Sequence, residues 1–131
     1  NWLTIVHYAE VSGLVACAKF NADAFVVDER TTRLLVEGPE RITSLLKDKL
    51  HTEVKVNNKN LEKFRELVKN IRIIRSVEIV AVAYELGLLN KYLPNMPNPR
   101  KTLLDSVLWG VKLNGCAVSK EEIDDIIKSE K

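Results

Sequence analysis

Two acidic residues, Glu10 and Asp28, have the type and the spacing to act at one site. Asp28 directly follows the apolar run 24–27, which predicts a short strand, and open α/β sheets bind ligands at the carboxyl ends of their strands. Glu10 begins a predicted helix. Measured from the break at residues 21–22, that helix and the strand are about equally long, roughly 17 Å each. If the two pack antiparallel, Glu10 returns close to Asp28.

Two carboxylates at a strand end suit Mg²⁺ or Mn²⁺, because these hard cations prefer oxygen ligands. A structural explanation is also open, since an acid after a strand often caps the next helix and an acid in a first helical turn is stabilised by the helix dipole. Arg30 and Arg33 lie one helical turn apart beside Asp28 and could hold a phosphate. Ion pairs of these arginines with Glu29 or Glu37 explain them equally well.

The composition is that of a folded domain. The chain has 131 residues, 46% hydrophobic and 29% charged, with a net charge of +2, which excludes a disordered tail, a collagen-like chain and a strongly basic nucleic-acid wrapper. Two cysteines without a CxxC pair make a structural zinc site or a disulfide framework unexpected. No apolar run reaches the roughly 18 residues of a membrane span, so we expect a cytoplasmic protein without a membrane partner.

The elements that would position these side chains alternate along the chain. The predicted strands cover residues 24–27, 53–56 and 71–75. The predicted helices cover 7–20, 29–36, 39–50, a segment capped by Asn60, 76–88, 101–114, and a last segment that begins with a capping box of Ser119 and Glu122. Strands that alternate with helices predict a mostly parallel α/β sheet.

Three stretches resemble the PIN-domain nucleases. Residues 9–30, with an acid that opens an alanine-rich helix and an apolar strand that ends in Asp28-Glu29-Arg30, resemble the second half of a PIN domain. Residues 83–89 (AYELGLL) and 104–122 resemble the closing helices of an archaeal and bacterial subgroup. Residues 76–127 match more loosely than 9–30, and residues 37–75 look like an insertion.

The resemblance implies a fold and a division of the chain. The expected fold is α/β, a three-layer α/β/α arrangement with a mostly parallel sheet that is PIN-like and incomplete, followed by C-terminal helices. The expected segments are the C-terminal part of a PIN-like nuclease core (1–36), an insertion or additional αβ segment (37–75) and a helical C-terminal region (76–131).

The resemblance also implies an activity. PIN domains use four acids around Mg²⁺ or Mn²⁺ to cut phosphodiester bonds, usually in RNA, so an endoribonuclease is expected. Glu10 and Asp28 would be the third and fourth metal-binding, catalytic acids, and Arg30 and Arg33 would bind the substrate. Only nine residues precede Glu10, where the family's first two acids should lie. The chain is therefore expected to be a fragment that is inactive by itself.

Other partners follow from the same reasoning. A toxin of a toxin–antitoxin pair, bound by a protein antitoxin, is a subtype of the nuclease hypothesis. The alternative function is a non-catalytic interaction or oligomerisation module, with a homodimer formed through an open strand edge. A basic cluster of Lys63, Arg65, Lys69, Arg72 and Arg75 could support nucleic-acid binding, although a solvated helix and strand edge is its more common explanation.

Overall fold

The structure is a computed structural model that describes residues 8–51 and 53–129. The chain divides between Ile73 and Ile74 into two compact units, called unit 1 and unit 2. The elements of unit 1 are α1 (Tyr8–Lys19), β1 (Ala24–Val26), α2 (Arg30–Glu37), α3 (Pro39–Leu50) and α4 (Asn58–Val68), and β2 (Arg72–Ile74) lies at the division. Unit 2 contains α5 (Ser76–Glu85), a short 3-10 helix (Asn90–Tyr92), α6 (Pro99–Leu113) and α7 (Lys120–Ser129).

The prediction of a three-layer α/β/α fold with a mostly parallel sheet is wrong. The described residues form seven α-helices and two strands of three residues each, β1 and β2, which pair in parallel. Residues 53–56, predicted as a strand, have no regular secondary structure. Their alternation leaves Val54 half-buried and Val56 44% exposed, so this segment buries too little apolar surface to add a third strand.

The apolar run 24–27 also differs from the strand expected of a parallel sheet. Such a strand is covered on both faces, whereas Val26 is 53% exposed and Ala24 and Phe25 are half-buried. The strand therefore has one protected face, which packs in unit 1.

The predicted helices are present, with ends that differ by a few residues. The helix predicted over 7–20 is α1, and His7 lies outside the described residues. α4 begins earlier than predicted because Asn57, and not Asn60, is its cap, with the side-chain oxygen of Asn57 accepting a hydrogen bond from the backbone N–H of Asn60 at 3.1 Å. The structure describes no helix that is long and apolar enough to cross a membrane.

The core of unit 1 lies where α1 meets β1 and α4. Leu14, Val68 and Ile71 are buried there, and Phe25 and Phe64 pack against them. Gly13 makes the close approach of α1 to β1 feasible, because a Cβ at this position would lie 2.7 Å from Cζ of Phe25.

Unit 2 is a small helical cluster built on α5, α6 and α7. Its core consists of the buried side chains of Val77, Tyr84, Leu103, Leu104, Leu108, Cys116, Val118 and Ile123. The predicted capping box at the start of α7 is confirmed, since the Ser119 N–H donates to Glu122 at 2.8 Å and the Glu122 N–H donates to Ser119 at 3.0 Å.

Candidate functional site

Two carboxylates meet on one buried hydroxyl at the start of α2. Thr32 is fully buried, and its Oγ1 lies 2.8 Å from Oε2 of Glu10 and 3.1 Å from Oε2 of Glu29. Glu10 comes from the first turn of α1 and Glu29 precedes α2, so the contact joins two elements that are distant in sequence. We call Glu10 and Glu29 the acidic pair, and Thr32 its bridging threonine.

The local sequence explains why Glu29 faces Thr32. Glu29 is the N-cap of α2, in extended backbone conformation, and its Oε2 accepts the backbone N–H of Thr32 at 2.7 Å. Burial by itself would raise the pKa of the Glu29 carboxyl, but hydrogen bonds from the backbone and side chains of Thr31 and Thr32 outweigh it and lower the pKa. Glu29 is therefore a carboxylate at neutral pH.

The structure brings Glu10 to Thr32, four residues after Asp28, and the predicted meeting of Glu10 with Asp28 itself stays a prediction. The carboxylate that shares the Thr32 hydroxyl with Glu10 is that of Glu29, which the sequence offered as an ion-pair partner for Arg30 or Arg33. Thr32 is not among the predicted site residues. The signal that could have found both is an acid three residues before a threonine, the spacing of an N-cap and the third residue of a helix.

The described residues do not form a metal site by themselves. Within 8–51 and 53–129, no group of three or more His, Cys, Asp or Glu side chains is placed to hold a metal ion. Mg²⁺ requires near-octahedral oxygen ligands, which one or two carboxylates supply only with water and substrate phosphate. A metal ion at Glu10 and Asp28 would therefore need further ligands.

Arg30 and Arg33 lie together on one wall of an open cleft between α2 and α3. The cleft has a volume of about 420 Å³, and α3 contributes a third arginine, Arg41, to its lining. This surface, called the arginine cleft, is lined by Arg30, Arg33, Leu34, Arg41, Ser44, Leu45 and Asp48. Three arginines against one aspartate make the lining positively charged.

One buried donor of the Arg33 side chain, Nε, has no hydrogen-bond partner among the described residues. Its ion pair with Glu37 spans 3.6 Å, which is too long for a hydrogen bond. Of the two acids expected to pair with the arginines, Glu37 pairs with Arg33, and Glu29 binds Thr32 instead.

Three of the five members of the basic cluster, Arg65, Lys69 and Arg75, pair with acids. Arg65 pairs with Glu40 at 2.8 Å, and Lys69 pairs with Glu66 at 2.6 Å. These contacts favour the structural explanation of that cluster over a nucleic-acid surface.

Comparison of the chain with protein-family models, with curated proteins and with solved structures gives no significant match.

Proposed function

We propose that this chain takes part in metal-dependent hydrolysis of phosphodiester bonds in RNA, the endonuclease reaction that PIN domains catalyse. Glu10 and Asp28 would bind Mg²⁺ or Mn²⁺ together with ligands outside the described residues. Arg30 and Arg33 would bind the phosphate of the substrate. The observation that supports the proposal is the hydrogen bond between Thr32 and Glu10, because it fixes an acid of α1 beside the segment that follows Asp28.

The roles of the side chains follow from their positions. Thr32 holds the Glu10 carboxylate in place, since its fully buried hydroxyl lies 2.8 Å from Oε2 of Glu10, while Glu29 holds Thr32 through the backbone N–H and the hydroxyl. Fixed carboxylates lower the cost of collecting a cation and a phosphate at one point. The arginines lie on the same short helix as Thr32, so phosphate binding and acid placement depend on the same element.

The test is RNA cleavage by the product of the whole gene, with Mn²⁺ as the metal. We expect cleavage that falls at least about 100-fold in Glu10→Gln and in Asp28→Asn, the scale seen when a group that stabilises transition-state charge is removed. Glu62→Gln is the matched control, because Glu62 is an exposed acid of α4 in the same unit. Cleavage that survives both site substitutions, or no cleavage of any RNA, would contradict the proposal.

The 131-residue chain should be assayed in parallel. We expect no cleavage by it, since two carboxylates hold Mg²⁺ weakly. Cleavage by this chain that disappears in Glu10→Ala would overturn that expectation while supporting the assigned acid.

One surface favours the alternative function, an interaction module that pairs with a second copy. Ile79, Val82 and Leu86 follow one another at helical spacing along α5 and its end, and they are 45%, 53% and 69% exposed. An apolar stripe of this kind is typical of a contact surface. Light scattering tests it: a dimer lost in Val82→Glu would support self-association, and a strict monomer at high concentration would refute it. The antitoxin partner stays a prediction.

A further inference from the structure

We propose that the arginine cleft binds one phosphate group of the RNA backbone, with Arg41 of α3 completing a site that Arg30 and Arg33 begin on α2. The choice of RNA rests on the proposed function. The binding of a phosphate rests on the cleft alone, so the choice of RNA and the binding of phosphate can fail separately.

A buried donor of Arg33 favours the binding of an anion in the cleft. A buried N–H without a partner is costly, because the group has given up water and gained nothing in return. Nε of Arg33 has no hydrogen-bond partner among the described residues, since its ion pair with Oε2 of Glu37 spans 3.6 Å, and the Arg33 side chain lines the cleft. An anion in the cleft would give the Arg33 guanidinium a partner besides Glu37.

Three positively charged side chains line the cleft, which also favours the binding of an anion. Arg30, Arg33 and Arg41 come from two helices and line one cavity with one acid, Asp48, so a net repulsion opposes the packing of α2 on α3 and a bound anion would relieve it. The planar guanidinium fork matches the oxygens of phosphate in a bidentate manner. Leu34 and Leu45 provide an apolar lining that lowers the local dielectric and strengthens these contacts.

The positions of Arg41 and Asp48 along α3 indicate how a nucleotide would lie in the cleft. Arg41, Ser44 and Asp48 recur at helical spacing on α3, so Asp48 lies roughly 10 Å further along the helix axis than Arg41. A phosphate held by Arg41 should therefore lie away from Asp48, which accepts hydrogen bonds and suits a sugar hydroxyl rather than a second phosphate. A volume of about 420 Å³ lies within the usual range of small-ligand sites, so one nucleotide unit fits.

The experiment measures binding without hydrolysis. A fluorescent single-stranded RNA oligonucleotide is titrated with the 131-residue chain in EDTA, and inorganic phosphate is then tested as a competitor. We expect Arg41→Gln and Arg33→Gln to weaken RNA binding about 10-fold and Arg41→Lys to weaken it less, because lysine keeps the charge and loses the fork. Asp48→Asn should bind inorganic phosphate more tightly than the unaltered chain, because one repelling charge is gone.

Lys59→Gln is the matched control, since it removes one positive charge from an exposed position of α4 in the same unit. If Lys59→Gln weakens binding as much as Arg41→Gln, the attraction is nonspecific and the proposal is wrong. Absence of competition by phosphate would overturn it as well. Arg41 is exposed, so its variants should fold even if Arg33→Gln does not, and circular dichroism checks this.

A DNA oligonucleotide of the same sequence tests whether the ribose hydroxyl contributes to binding. Weaker binding of DNA supports a ribose hydroxyl near Asp48, and equal binding overturns that part of the proposal. If the chain binds RNA through Arg41 while the whole gene product never cleaves RNA, the cleft is supported and the proposed function fails. If cleavage requires Glu10 but binding ignores Arg41, the proposed function is supported and the cleft fails.

Discussion

Nη1 of Arg75 lies 3.1 Å from Oε1 of Glu122, which joins the residue before α5 to the first turn of α7 in unit 2. The same guanidinium pairs with Glu78 at 2.5 Å and donates to the carbonyl of Ala117 at 3.0 Å. Glu78 accepts the backbone N–H of Arg75 at 2.6 Å, while Glu122 accepts that of Ser119. Arg75 thus connects Glu78 and Glu122, the glutamates that accept backbone N–H groups at the N-termini of α5 and α7.

Replacement of Arg75 by methionine should lower the free energy of unfolding by about 1–2 kcal/mol, because a mostly buried donor group is lost and the Ala117 carbonyl loses a partner. The low end of the range for ion pairs applies, since Glu78 and Glu122 are 45% and 47% exposed. Urea unfolding measures the change. Lys128→Met, which removes an exposed pair with Asp125, should change stability by less than about 0.5 kcal/mol. Equal effects of the two substitutions would contradict the role given to Arg75.

Unit 2 should lose stability in acid partly through Glu122. The N–H of Ser119 lowers the pKa of this carboxyl, burial opposes the shift, and Arg75 adds to the lowering. A lowered folded-state pKa contributes stability that is complete above the ordinary carboxyl pKa of about 4.3 and is lost as the pH falls through the folded-state value.

The corresponding measurement is unfolding between neutral pH and pH of about 3. Glu122→Gln should flatten the decline, whereas Glu121→Gln, at an exposed neighbouring position, should leave it unchanged. A decline identical in the unaltered chain and in Glu122→Gln would show that another group is responsible.

Removal of the Thr32 hydroxyl should loosen the acidic pair. Thr32→Val keeps the shape of a fully buried side chain but leaves Glu10 and Glu29 without the shared donor, so we expect a loss of about 1–2 kcal/mol. Thermal unfolding measures it. Thr32→Ser, which retains the hydroxyl, should recover most of the loss; if serine behaves like valine, the methyl group and not the hydrogen bond matters.

The approach of α1 to β1 can be tested at Gly13. A Cβ there would meet Cζ of Phe25 at 2.7 Å, and overpacking costs about 1–3 kcal/mol against a gain of about 1 kcal/mol in helix propensity. Gly13→Ala should therefore destabilise the chain by up to about 2 kcal/mol. The matched control is Gly110→Ala in α6, where nothing lies within 4 Å and stability should rise by about 0.5–1 kcal/mol. A stabilising Gly13→Ala would contradict the close approach.

The helices could be predicted from sequence because their signals are local. Ser119 and Glu122 satisfy each other's backbone N–H within four residues, and no distant partner is needed. A sheet depends on strands that are far apart in sequence. The segment 53–56 has the alternation of a strand, but nothing in those four residues reports whether another strand is there to pair with it.

The candidate site was predictable to a similar extent. The return of Glu10 toward the segment after Asp28 follows from the lengths of α1 and β1, and both lengths can be estimated from the sequence. The bridging of Glu10 and Glu29 by Thr32 requires α1 to lie close to β1, which depends on the contact of Gly13 with Phe25. Arg41 joins Arg30 and Arg33 only because α2 packs on α3, a relation that no local pattern encodes.

The hydroxyl of Thr32 has one proton and two carboxylate acceptors. Glu29 already receives the Thr32 backbone N–H, so it holds a hydrogen bond whichever way the hydroxyl points. If a cation draws the Glu10 oxygen away, the hydroxyl can rotate fully toward Glu29 at 3.1 Å, and no buried donor is left unsatisfied. Glu10 is therefore held in position by a partner that can release it through a single bond rotation.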